Sequence, residues 1–194
     1  MIKRDTVSPI EYFQEKVETL LRAVRAGDDT AIARLAVSPR DSLRMRVQHA
    51  IAVESGFENW VKLSGASEIE LRLVIVMEGA PQLSDFGIGL FDGGCGLTLD
   101  ERKSKLADER QKLREKVIEV EWLVQWLPLN IASIKTIQRS SYGLKHRVER
   151  YSPNKYITNG VFIAAAIIAG YPYKFQTDSA NVDFGMSKKW SQSK

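Results

Sequence analysis

The sequence predicts a mainly α-helical protein, and three features of the chain point to this fold class. Residues that start helices recur along it, apolar residues follow them at helical spacing, and glycine or proline closes most of these stretches. The middle of the chain holds a long amphipathic stretch, and the C-terminal region alternates with the two-residue period of a β-hairpin. We therefore expect an N-terminal helical module, a long central helix with a coiled-coil-like seam, and a C-terminal helix–loop–helix with a short β-hairpin.

These features divide the chain into three segments. Residues 1–66 form the N-terminal helical module, residues 67–97 an ambiguous stretch and a Gly-rich linker, and residues 98–194 the long helix with the C-terminal module. Within the second segment, Ser67 and Glu70 form a helix-capping box, whereas the alternation from Ile69 to Leu73 favours a strand. Both interpretations remain open for residues 67–77.

The N-terminal module carries four helix signals. Ser8, followed by Pro9 and Glu11, starts the first helix, and Gly27 ends it. The later helices are expected to start at Asp28 or Asp29, within the Ser38–Asp41 stretch, and near Trp60.

The stretch Leu-Leu-Arg-Ala-Val-Arg-Ala-Gly-Asp-Asp-Thr-Ala-Ile-Ala-Arg-Leu, from Leu20 to Leu35, resembles the helix–Gly-Asp–helix phrase of ankyrin-type repeats. The resemblance implies a small helical packing module. The Thr-Pro-Leu-His signature of those repeats is absent, and no second copy follows at a period of about 33 residues. We therefore expect no ankyrin array.

The central helix is expected to begin at the capping box of Thr98 and Glu101 and to end at Pro128. Its apolar seam has a seven-residue spacing, formed by Leu99, Leu106, Leu113, Val120 and Leu127. Lys103 and Arg110 weaken the first half of the seam. We therefore expect that half to project into solvent and the second half to pack against the rest of the chain. We favour a homodimer through this helix. Trp122 and Trp126 are expected to lie in the core, with an aromatic binding surface as the alternative.

Composition limits the chemistry of the chain. One cysteine excludes an internal disulfide, and together with two distant histidines it predicts neither a zinc site nor a cofactor site. No apolar run reaches about 18 residues, so no membrane-spanning helix is expected. The absence of an apolar signal segment and the cysteine usage together predict a cytoplasmic protein. The Gly-rich loop before the long helix matches no phosphate-binding spacing, and Cys95 in that loop has no recognisable catalytic partner.

The most distinctive segment is basic. From Lys135 to Lys155 the chain has six basic residues and one acid, Glu149. Such an excess of cations suits the phosphate backbone of nucleic acid. The predicted nucleic-acid-binding residues are Lys135, Arg139, Ser140, Ser141, Tyr142, Lys145, His146, Arg147, Arg150 and Lys155. Two alternatives remain open: a basic helix that binds a protein or pairs internally, and an enzyme that uses Tyr142, Lys145, His146 and Glu149 as acid–base groups.

The element order of the C-terminal module is that of a winged helix: helix, loop, helix, hairpin. Its second helix, Val161 to Ala169, has no polar residue with which to contact a base edge, so it is expected to be a core helix. The first helix would then bind, mainly through phosphate contacts.

The segment Ser-Ser-Tyr-Gly-Leu-Lys-His-Arg-Val-Glu, from Ser140 to Glu149, together with Tyr156 to Ala166, resembles the C-terminal segment of uncharacterised proteins of bacterial mobile elements. The resemblance implies a bacterial accessory protein and no site residues. We therefore expect a non-enzymatic nucleic-acid-associated protein of such a system, or alternatively a helical adaptor or inhibitor that binds a protein partner.

Overall fold

A computed structural model describes residues 8–35, 41–90, 96–151 and 156–190. It confirms the mainly α-helical fold class. The chain divides into two compact units, Met1–Arg72 and Leu73–Lys194. The helices are α1 Pro9–Arg25, α2 Asp29–Ala33, α3 Leu43–Glu54, α4 Trp60–Ser64, α5 Glu68–Gly79, α6 Leu99–Glu115, α7 Val117–Asn130, α8 Ser141–Tyr151 and α9 Asn159–Ile168. The strands are β1 Leu83–Ser84, β2 Gly87–Ile88, β3 Ile131–Ser133, β4 Arg139–Ser140, β5 Tyr173–Phe175, β6 Val182–Phe184 and β7 Met186–Trp190.

The first unit is built from α1 to α4 and the start of α5. Its helix starts are stabilised locally: the Ser8 N–H donates to the Glu11 carboxylate at 2.9 Å, and the Asp28 carboxylate accepts from two backbone N–H groups of α2. Helix α3 is capped by Ser42, one residue after the predicted stretch, of which residues 38–40 lie outside the described residues. The ambiguous stretch 67–77 is helical from Glu68 onward, within α5.

The predicted single central helix is two helices, and this prediction was wrong in one respect. Lys116, between α6 and α7, has φ −96° and ψ 31°, outside the helical region, and its ammonium lies 2.6 Å from the Asp85 carboxylate. Pro128, the predicted stop, lies inside the last turn of α7. The turn persists beyond it because the Ile131 N–H still donates to the Leu127 carbonyl.

The core of the second unit forms around α9. Every residue from Asn159 to Ile167 is buried, which confirms the core-helix prediction. Helix α9 packs against α7 and α8, and α7 contributes Val120, Leu123 and Leu127, all fully buried. The second half of the predicted seam is therefore buried inside this unit. Pairing of two copies would need another face of the helix.

Three small antiparallel sheets complete the second unit: β1 with β2, β3 with β7, and β4–β6–β5. The predicted hairpin is β5 with β6, where Phe175 pairs with Val182 and Tyr173 with Phe184. The sequence did not predict β3 and β4, because strands of two or three residues have no measurable period.

Asp85, in the turn between β1 and β2, ties α6, α7 and α9 together. Its carboxylate accepts from the Lys116 ammonium and from the Thr158 hydroxyl, each at 2.6 Å, and its carbonyl accepts from the Gly160 N–H. A Cβ on Gly160 would lie 1.9 Å from the Ser84 carbonyl oxygen. Only glycine permits this close approach. Ser84 and Asp85, which belong to the Gly-rich linker, therefore pack directly against the start of α9. The remainder, residues 91–95 with Cys95, lies outside the described residues.

Candidate nucleic-acid interface

Helix α8 presents its apolar side to the core and its cations around the rim. Leu144 and Val148 are buried beneath it. Ser141, at the helix start, is also fully buried, and its hydroxyl accepts from the Val182 N–H at 3.2 Å. Of the ten predicted binding residues, Ser141 thus joins α8 to β6 and is not accessible to a ligand.

Lys145 lies inside a polar and aromatic cluster and is only 5% exposed. Its ammonium lies 5.2 Å from the ring centre of Tyr142 and 5.5 Å from that of Tyr156, within the range of cation–π attraction. It also lies 3.5 Å from the Glu149 carboxylate. Lys145 therefore pairs internally, which is one of the alternatives that the sequence left open for this helix.

Glu149 joins the cluster to the segment that follows α8. Its carboxylate accepts from the Ile157 N–H at 3.1 Å, and the other oxygen lies 2.7 Å from His146 Nδ1. Burial raises the pKa of Glu149, but the Ile157 N–H, the contact with His146 and the charge of Lys145 more than offset it, so its pKa lies below the ordinary value. The cluster thus favours an ionised carboxylate.

Arg147 stacks on an aromatic row instead of pointing freely into solvent. Its guanidinium carbon lies 4.1 Å from the ring centre of Trp190, and one of its N–H groups donates to the Lys188 carbonyl at 3.0 Å. Trp190 contacts both Tyr151 and Trp126, whose ring centres lie 5.4 and 6.1 Å away. Arg147 is half-buried, so it combines a packing role with a partly accessible charge.

The exposed cations of the second unit extend beyond the predicted set. Lys135 and Arg150 are exposed, and Arg139 and Ser140 are half-buried on β4. Lys155 lies outside the described residues. Lys174, Lys188 and Lys189 are also exposed, and they lie outside the predicted set. The adjacent Lys188–Lys189 pair is the signal in the sequence that indicates this extension.

The few acids of this region are largely engaged within the fold. From Ile131 to Trp190 the chain has nine basic residues and three acids, Glu149, Asp178 and Asp183. Glu149 belongs to the cluster around Lys145, and Asp183 accepts from the Gln176 amide at 2.7 Å. Cations therefore dominate the accessible charge of the C-terminal region.

Four residues suited to acid–base chemistry lie together on α8. The rings of Tyr142 and His146 are 4.5 Å apart, and Lys145 and His146 both contact Glu149. Both oxygens of Glu149 are occupied by groups of the chain itself. The arrangement stabilises the end of α8, and it supports a structural role more directly than a catalytic one.

Within the described ranges, no three His, Cys, Asp or Glu side chains are placed to hold a metal ion. In the same part of the chain, no helix is both long and apolar enough to cross a membrane. The chain matches no protein-family model, no curated protein and no solved structure. What is known of its site therefore comes from its own geometry.

The first unit has a separate feature, an open groove of about 440 Å³ between α1, α2 and α3. Tyr12, Lys16 and Glu15 line one side, and Asp28, Thr30 and Arg34 line the other. Leu20 and Ile51 are among the apolar residues of its lining. Charges of both signs around an apolar strip suit a peptide segment better than a phosphate backbone.

Proposed function

We propose that this protein is a non-enzymatic, cytoplasmic nucleic-acid-associated protein of a bacterial accessory system. The observation that carries the proposal is the excess of exposed cations within residues 131–190, where two of the three acids, Glu149 and Asp183, contact groups of the chain itself. Arg150, Lys174 and Lys189 would contact phosphates directly, with Lys135 and Arg139 extending the surface. The accessory-system and cytoplasmic parts rest on the sequence resemblance and on the single cysteine.

The proposed mode of binding is sequence-independent. A helix that reads bases must offer polar side chains to the major groove, and α9 is buried along its length. Helix α8 offers Arg150 and a half-buried His146, together with the exposed ring of Tyr142. These groups suit phosphate contacts and occasional stacking on an unpaired base.

The test is fluorescence anisotropy with labelled duplex DNA, single-stranded DNA and RNA at about 50 and 200 mM salt. The wild type should bind, and its affinity should fall steeply between the two salt concentrations. The variant Arg150→Ala/Lys174→Ala/Lys189→Ala should bind at least about 10-fold more weakly at low salt. The slope of log affinity against log salt should fall by about one for each phosphate that the variant no longer neutralises.

A matched control removes the same charge elsewhere. Lys62→Ala/Lys103→Ala/Lys112→Ala deletes three exposed cations on α4 and α6 and should retain near-wild-type affinity. Equal weakening by both triple variants would place the interaction outside the C-terminal surface. Absence of binding to all three nucleic acids, with helical circular dichroism intact, would remove this function.

The second candidate is a helical adaptor or inhibitor that binds a protein partner. The groove between α1, α2 and α3 is the observation that favours it. Under this function Ala23→Arg, which fills the groove, should abolish capture of the partner and leave nucleic-acid anisotropy unchanged. The two functions are therefore separable in one set of variants.

A further inference from the structure

Helix α7 is apolar on two opposite faces, of which one is fully buried and the other is partly exposed. Val120, Leu123 and Leu127 face the core. On the other side, Ile118 and Leu129 are 79% and 76% exposed, and the half-buried Trp122 and Trp126 lie between them. These four residues, here termed the outer face, follow one another at spacings of four, four and three, so they share one side of the helix.

Two highly exposed aliphatic side chains beside two tryptophans are unusual on a solvent-facing surface. The indole rings of Trp122 and Trp126 stack with centres 5.9 Å apart. Continuous apolar patches of this kind mark surfaces that another molecule covers. Aromatic residues in such patches supply a large share of the binding energy.

We propose that the outer face binds a second copy of this chain, forming an antiparallel two-fold pair of α7 helices. The order of side chains along the face is aliphatic, tryptophan, tryptophan, aliphatic, and it reads the same in both directions. A two-fold axis between Trp122 and Trp126 sets Ile118 against Leu129 of the second copy and tryptophan against tryptophan. The face spans about 16 Å at 1.5 Å per residue, and its spacings of four, four and three match those of the antiparallel copy to within one residue.

The charges at the two ends of the outer face also favour an antiparallel copy. Exposed Glu119 and Glu121 flank its first half. Its second half ends beside Trp190, over which Arg147 is stacked, and the carbonyl of the exposed Lys188 accepts from the same Arg147 guanidinium. An antiparallel partner places acids against cations at both ends, whereas a parallel partner places like charges together.

This interface is distinct from the heptad seam. The seam residues Leu113, Val120 and Leu127 are fully buried in the chain's own core, so they are not accessible to a second copy. It also involves other side chains than the proposed phosphate contacts, since Arg150, Lys174 and Lys189 are not among the four residues of the outer face. Self-association and nucleic-acid binding can therefore be measured independently.

The test is sedimentation velocity of the full chain from about 1 to 200 μM, with tryptophan emission recorded in parallel. The wild type should shift from a 21.9 kDa species to about twice that mass as concentration rises, with a blue shift as Trp122 and Trp126 lose water. Ile118→Lys/Leu129→Lys should raise the dimer dissociation constant at least about 100-fold. The control Leu99→Lys, at a similarly exposed leucine of α6, should leave the dissociation constant unchanged.

A charge swap tests the orientation. Glu121→Lys and Lys188→Glu should each weaken the dimer, and the double variant should restore most of the original affinity, because each copy then offers the reversed pair. A monomer throughout the concentration range would overturn the proposal, whatever other protein or surface the face then proves to bind. A dimer that survives Ile118→Lys/Leu129→Lys would overturn it as well. A failure to bind nucleic acid would not contradict the proposed dimer.

Discussion

Helices α6 and α7 carry one continuous heptad of apolar residues, yet the burial of these residues differs between the two helices. In α6, Leu99 is 75% exposed and Leu113 is the residue buried in the core. In α7, Val120, Leu123 and Leu127 are all fully buried, and a second apolar face remains outside. Equal spacing of leucines therefore does not produce equal burial. The partner surface decides it: α7 lies against α9, whereas α6 contacts mainly the short strand β1.

Polar contacts hold α6 where apolar contacts hold α7. The Arg110 guanidinium donates to the carbonyls of Met77, Ala80, Pro81 and Leu83, between 2.7 and 3.3 Å away. The first two of these carbonyls belong to the end of α5 and the residue after it, where carbonyls lack helical partners. Burial lowers the pKa of Arg110, chiefly by desolvation, but the side chain remains ionised. In the sequence Arg110 interrupts the apolar seam, whereas in the structure it joins α6 to α5 and β1.

The largest effect should come from equal truncations in the two helices. Leu127→Ala in α7 deletes a fully buried side chain and leaves a cavity, so the free energy of unfolding should fall by about 3 kcal/mol. Leu99→Ala in α6 removes an exposed side chain and should change it by less than about 0.5 kcal/mol. Urea denaturation followed by circular dichroism measures both. Similar losses for the two variants would contradict the difference between the helices.

An intermediate effect should follow from removing the guanidinium of α6. Arg110→Ala leaves several partly buried carbonyls without a donor, so the free energy of unfolding should fall by about 2 kcal/mol. Arg110→Lys should recover less than half of this loss, since an ammonium cannot reach the same carbonyls with a rigid fork of donors. The control is Lys103→Ala, which removes an exposed cation about two turns earlier and should be nearly neutral. Full recovery by lysine would show that charge, and not geometry, is what α6 requires here.

The smallest effect should appear at the exposed start of α6 and depend on pH. The Thr98 hydroxyl and the Thr98 N–H donate to the Glu101 carboxylate and lower the pKa of Glu101 from its ordinary 4.5. Ionised Glu101 therefore stabilises the start of α6 at neutral pH, and this contribution is lost as pH falls below about 4.5 through the lowered pKa. Amide hydrogen exchange of the first turn should accelerate over that range relative to α7, after correction for the intrinsic rate.

The matched control for this pH effect is Glu101→Gln, in which the first turn of α6 should exchange faster at neutral pH and show little further change on acidification. Identical pH profiles for the wild type and Glu101→Gln would remove the capping box as the cause. Unlike Leu127→Ala, this change should leave α7 unaffected, because it acts within a single turn of helix.

Much of the fold could be predicted because helix signals act over a few residues. Glu11, Asp28 and Thr158 form the capping contacts that their positions indicate, and Gly170, just after α9, has positive φ. The hairpin of β5 and β6 followed from alternation alone. The candidate site was harder to predict, since exposure and pairing cannot be read from residue type. Lys145 and Arg150 look equivalent in sequence, yet one is buried between two tyrosines and the other is exposed.

The sequence by itself determined the helical class, most helix starts, the core character of α9 and the concentration of cations near the end of the chain. Tertiary structure alone decided that the central helix breaks at Lys116, that Arg147 stacks on Trp190, and which leucines of the heptad are buried. The physical reason is the separation along the chain between the two residues that form each contact. A cap needs a partner three residues away, whereas Lys116 meets Asp85 across 31 residues, and Arg147 donates to the Lys188 carbonyl across 41. Contacts between such distant positions form only when the whole unit packs, so no local pattern in the sequence reports them.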